Sequence, residues 1–184
     1  MLCSSQEPYV TIFWERRLNT LFQRQNWMVA FNCTKETRLQ VLHWKICMNI
    51  YPTAIILARI KVRRTDRCDY CDCQDTLEHF FFYCRKVTSL WVEVQRIVSI
   101  FIDKHIKLNV GNVLLGFVPR ERISQSKMNK INLLILLAKL ACSKSKYGSK
   151  IEPKILFENE LAIRNIIFQY FEQLFDRCQQ TLFY

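Results

Sequence analysis

A chain of 184 residues, half of them apolar and 13% aromatic, has ample material for a buried core, which excludes a disordered chain. Three glycines and four prolines are too few for the tight turns of a sandwich or barrel, leaving long helices with short connections. A formal net charge of +11 and a pI near 9.4 draw densely anionic partners, nucleic acid foremost, with an anionic membrane surface or an inert basic surface as the alternatives.

Residues 8–31 interleave aromatic and basic side chains (Tyr9, Phe13, Trp14, Arg16, Arg17, Phe22, Arg24, Trp27, Phe31) and predict one or two helices. From Thr37 to Ile50, Leu39, Leu42, Ile46 and Ile50 recur at steps of three and four, one apolar helical stripe that Pro52 ends. Thr53–Val62 can form a second short helix, running into the basic stretch Arg59, Lys61, Arg63, Arg64 and Arg67. After a cysteine cluster, Val87, Leu90, Trp91, Val94, Ile97, Val98, Phe101 and Ile102 mark a strongly amphipathic helix.

Residues 107–120 (KLNVGNVLLGFVPR) hold two of the three glycines and end near Pro119, and read as a loop or short extended segment within a linker. Two helices follow, about 124–147 and 153–178, with Gly148 as a C-cap and Pro153 in a first turn. Both are apolar on more than one face, which implies deep burial or a missing partner surface. The run Ile131–Cys142, interrupted by Lys139, is too short to span a bilayer.

The chain therefore reads as mainly α: a helical bundle-like domain with a small zinc-binding module between helices. Its expected division is an N-terminal helical segment 1–36, helices flanking the module over 37–106 with the module at 68–84, a linker at 107–123, and a helical pair at 124–184. The opening MLCSSQEPYV lacks a basic region followed by an apolar one, so an intracellular location, nucleus or cytoplasm, is expected. In such a reducing compartment the clustered members of the nine cysteines favour metal ligation, and scattered ones such as Cys33, Cys47, Cys142 and Cys178 favour buried packing.

The cluster itself has the spacing C-x2-C-x7-H-x4-C, formed by Cys68, Cys71, His79 and Cys84. Thiolates and a neutral imidazole are the donors zinc selects, and four of them close one structural tetrahedral site with no position left for catalysis. Cys73 competes, but only one residue separates it from Cys71. Asp75 followed by Glu78 fits a capping box that starts a short helix near Thr76. His79 and Cys84 are five apart, an offset that does not stack two side chains on one face of a regular helix, so the backbone should loosen or break before Cys84.

Arg59, Lys61, Arg63, Arg64 and Arg67 lead into the first ligand, and Arg85 and Lys86 follow the last, so folding should bring both groups together as a phosphate-binding face. A solvated basic rim is the plain alternative. Of Phe80, Phe81, Phe82 and Tyr83, two or three should pack the module against the next helix rather than stack on bases. Trp44 and Trp91 are expected in the core. No adjacent Asp–Asp pair or Gly-rich phosphate loop occurs, and His43, His79 and His105 form no nucleophile pattern, which argues against an enzyme or a small-molecule substrate.

Arg38–Ile46 (RLQVLHWKI), Asn49–Thr53 (NIYPT), the Cys68/Cys71 pair, Leu77–Cys84 (LEHFFFYC) and Trp91 together resemble the region beyond the reverse transcriptase in LINE-type non-LTR retrotransposon polyproteins. The likeness is strongest over about 37–118, and Ser143–Gly148 and Leu156–Asn165 are similar to that family's terminal helices. The resemblance implies a CCHC zinc-binding segment beyond the polymerase thumb, of which residues 1–36 would be a remnant, and an accessory role holding RNA or single-stranded DNA during target-primed reverse transcription. It also implies a fragment without the polymerase active site, with the upstream reverse transcriptase domain as a possible partner. The alternative function is a structural or protein-interaction module fastened by zinc, with no nucleic-acid contact.

Overall fold

A computed structural model describes residues 9–19, 24–102, 107–118 and 123–164. Phe22, His105, Pro119, Cys178 and the expected helix beyond Arg164 lie outside these residues. The order is α1 (Tyr9–Leu18), α2 (Arg24–Cys33), α3 (Thr37–Cys47), α4 (Ala54–Arg59), a π-helical turn (His79–Tyr83), a 3-10 turn (Arg85–Val87), α5 (Thr88–Ile102), α6 (Val110–Leu115), α7 (Gln125–Tyr147) and α8 (Pro153–Ile163). The protein is mainly α, and the single antiparallel bridge among the described residues pairs Arg67 with Gln74 inside the cysteine module.

The stripe of α3 buries Leu39, Leu42 and Ile46, but the helix ends three residues before Ile50. Asn49 takes a left-handed φ of 54°, its N–H bonding Ile46 O at 2.9 Å while the N–H of Ile50 bonds Lys45 O at 3.0 Å. This closure satisfies two last-turn carbonyls and leaves Ile50 exposed, so Pro52 acts only after the helix has stopped. The expectation for the tryptophans splits: Trp91 is buried, whereas Trp44 is 45% exposed beside Val41 on the outer face of α3.

The loop reading of 107–120 is overturned over Val110–Leu115. Asn109 and Asn112 exchange side-chain bonds with each other's backbone N–H, a capping box that starts α6 and puts Val113, Leu114 and Leu115 into the core. Gly111 inside it and Gly116 after it read as loop signals, which hid this element. Gly116 follows with φ 96° and ψ 156°, a conformation open essentially to glycine alone, and Val29 packs on it.

Helix α7 is the central rod. It buries Ile131, Leu134 to Ala138, Ala141 and Cys142 against α2, α5 and α8. Gly148 caps its end and Pro153 opens α8, as the sequence predicts, and Ser124 caps its start, accepting from Lys127 N–H. Lys139 is fully buried within it, its ammonium donating to Leu114 O at 3.2 Å and meeting Nδ1 of buried His43 at 3.1 Å. No helix among the described residues is long and apolar enough to cross a membrane.

Candidate metal centre

The module begins where α4 ends. Lys61, at φ 60°, closes α4 with the same left-handed turn as α3, and the chain folds back through Arg63–Asp66. Cys68 N–H then donates to Cys73 O at 2.8 Å and Asp72 N–H to Cys68 O at 3.0 Å, with Asp72 at φ 53°. This tight loop turns both Cys68 and Cys71 inward. The N–H groups of Tyr70 and Arg85 point at Cys68 Sγ (3.5 Å) and Cys71 Sγ (3.4 Å), dipoles that favour thiolate charge. Cys73 faces away, exposed, with its thiol toward Cys71 O.

On the opposite side of the module, Leu77 and Glu78 start as α-helix and the next five residues widen to a π-turn. The loosening expected before Cys84 thus takes a definite form: Cys84 N–H bonds His79 O rather than the carbonyl four residues back. The expected capping box does not form. Thr76 is the cap, its hydroxyl accepting from His79 N–H at 3.1 Å. Glu78 pairs instead with Arg17 of α1, and Asp75 accepts from the first N–H of α4, Ala54, at 3.1 Å. A carboxylate at that helix start is favoured on its own account, and no local sequence pattern announces it.

The outcome is that one donor atom each from Cys68, Cys71, His79 and Cys84 lies within 4.8 Å of all the others. Cys84 Sγ is 3.7 Å from Cys68 Sγ and 3.6 Å from Cys71 Sγ. A tetrahedron with metal–sulfur bonds of about 2.3 Å has sulfur–sulfur edges of about 3.8 Å, so these spacings fit zinc without rearrangement. Nε2 of His79 is buried and has no hydrogen-bond partner, a costly state that a metal bond would relieve. Burial, helped by the charge of Lys146, pulls the His79 imidazole below its ordinary range, keeping it neutral and able to ligate. Burial pushes the Cys84 thiol up to about 12, so ligation must displace its proton.

Aromatic packing holds the module in place. Phe80 and Phe81 are buried against Tyr51, with ring centres 5.2 and 4.9 Å away, and Tyr147 stacks on Phe80 at 5.4 Å. Phe82 is half-buried near Trp91, whereas Tyr83 is 62% exposed.

The seven basic residues divide. Arg63 pairs with Asp69, Arg67 donates to Asp72 O at 2.6 Å, and Lys86 donates to Tyr70 OH at 2.7 Å and Ser145 O at 3.2 Å. Arg59, Lys61, Arg64 and Arg85 are exposed, with no side-chain hydrogen bond or ion pair among the described residues. Arg67 and Arg85, from the two ends of the module, line one open cleft of about 440 Å³ together with Thr65, Asp69, Tyr70 and Asp72.

Residues 4–91 match the model of a family described as zinc-binding in reverse transcriptase. The match takes in all four residues of the cluster and stops in α5 at Trp91, just under half of the chain. No curated protein matches the chain.

Proposed function

We propose that this chain is a zinc-held, nucleic-acid-binding accessory domain of a retrotransposon reverse transcriptase, of the LINE type. In this reading Cys68, Cys71, His79 and Cys84 hold one structural zinc ion, and polymerase chemistry belongs to residues other than these. The observation that carries it is the Cys₃His cluster with zinc-compatible spacings and an unpartnered His79 Nε2, inside the stretch that matches the reverse-transcriptase zinc-binding family. Arg59, Lys61, Arg64 and Arg85 have their charges uncommitted, and they would grip the phosphate backbone of RNA or single-stranded DNA. Arg63, Arg67 and Lys86 chiefly brace the module.

The test is fluorescence anisotropy of a labelled single-stranded RNA with the zinc-loaded chain over a salt series. Binding should weaken with a log–log slope of about −0.7 per phosphate contact, and replacing Arg59, Lys61, Arg64 and Arg85 with alanine should flatten that slope. Absent or salt-insensitive binding would defeat the nucleic-acid reading. Primer extension by the isolated chain should yield no product.

A second reading rests on Trp44 and Val41, which stand outward on α3 with apolar surface uncovered. There the domain serves as a zinc-fastened docking piece for the reverse transcriptase domain. Trp44→Glu would then break association with that domain and leave RNA affinity intact.

A further inference from the structure

The last turn of α7 supplies a buried charge beside the cluster. The Lys146 side chain is only 4% exposed, and its ammonium makes no hydrogen bond. It lies 4.2 Å over the ring of Phe80, the residue after His79, and 3.6 Å from Asp75 Oδ1, itself buried and without a hydrogen bond. The other Asp75 oxygen is occupied by the Ala54 N–H. Placing an ammonium in such a site is costly unless a neighbouring negative charge needs it. Three thiolates and one imidazole around a divalent cation leave a net charge of −1 in a partly buried site.

We infer that Lys146 is a positioning residue for the metal centre: its ammonium, held against Asp75 and the residue after His79, is the counter-cation shared by Asp75 and the anionic four-donor cluster. The inference rests on the reading that this cluster binds zinc. Its helix lies beyond the family-matched stretch, so metal affinity depends on a part of the chain outside residues 4–91. The same turn is clasped to the segments on either side of the module: Tyr51 OH donates to Ser143 Oγ at 2.6 Å, Lys86 to Ser145 O, and Tyr147 OH to Pro52 O.

Cobalt titration of the full-length chain, followed by zinc competition, tests this with three variants. Lys146→Met keeps the side-chain length without the charge, Lys146→Arg keeps the charge, and Asp75→Asn removes the competing anion while retaining an acceptor for Ala54. The parent should bind one cobalt with a tetrahedral thiolate spectrum. Lys146→Met should keep that spectrum and lose about tenfold or more in affinity, Lys146→Arg should stay close to the parent, and Asp75→Asn should bind as tightly or more tightly. A purely packing role would weaken Lys146→Met and Asp75→Asn alike, and that result, or a Lys146→Met affinity equal to the parent's, overturns the inference while leaving the zinc site standing. If Lys146→Met loses its helical circular dichroism, Asp75→Asn decides: affinity at or above the parent's supports the counter-cation role, and a fall overturns it. A parent that binds neither cobalt nor zinc overturns the zinc reading itself, and this inference with it.

Discussion

The backbone N–H of Cys84 donates to the carbonyl of His79, 2.9 Å away and five residues back. In a regular α-helix two side chains five apart point about 140° away from each other. The widened turn removes most of that divergence, so the imidazole and the thiol face one site. Zinc stoichiometry is the direct measure of that convergence. Protein purified without added metal should carry one zinc per chain by elemental analysis, lost in Cys68→Ser and His79→Ala and retained in Cys73→Ser. Loss in Cys73→Ser would reassign the ligand set.

His43 makes stability fall in acid. Its Nε2 meets Asn26 O at 2.7 Å and its Nδ1 faces the Lys139 ammonium. Burial, reinforced by that ammonium, pushes its pKa down to about 3 from 6.5. Between those values the unfolded chain takes up a proton that the folded chain refuses, so stability is full above about pH 6.5 and declines as pH falls toward 3. Urea unfolding at pH 7 and pH 5 should show the parent losing about 2 kcal/mol more than His43→Gln over that interval. Equal losses would place the acid sensitivity elsewhere.

Gly116→Ala should destabilise the fold by about 3 kcal/mol or more, since φ 96° strains any side chain and a Cβ would stand 2.6 Å from Val29 Cγ2. Adding Val29→Ala should recover the steric part and leave the backbone part. Thermal unfolding of the single and double variants separates the two.

Lys61→Gly should raise stability by about 0.5–1 kcal/mol, because the left-handed turn that ends α4 suits glycine and strains lysine. Asn49→Gly should gain less, asparagine being the better tolerated residue there. Midpoints of chemical denaturation at constant slope report both.

Much of this protein was legible before any fold was considered. The end of α7 and the start of α8 followed from Gly148 and Pro153, whose effects on a helix end are local and need no tertiary partner. The face of α5 followed from period alone, since one stripe can be buried only one way. The cluster was readable because ligand chemistry and a two-residue spacing act within one loop. Val110–Leu115 misread because a helix this short takes its stability from packing on α2 and α3, and Gly111 and Gly116 looked like loop signals.

The sequence by itself thus determined a helical, basic chain with one four-donor cluster, all properties set by residues within a few positions of each other. Tertiary structure alone decided the fates of the charges: that Lys139 and Lys146 are buried while neighbouring Lys144 reaches solvent, that Asp75 caps α4 instead of the helix it precedes, and that three of the seven cations around the module are committed to internal partners. A side chain's charge is local, but its surroundings come from segments far away in the chain, and those surroundings set whether the charge is solvated, paired or turned toward the metal centre.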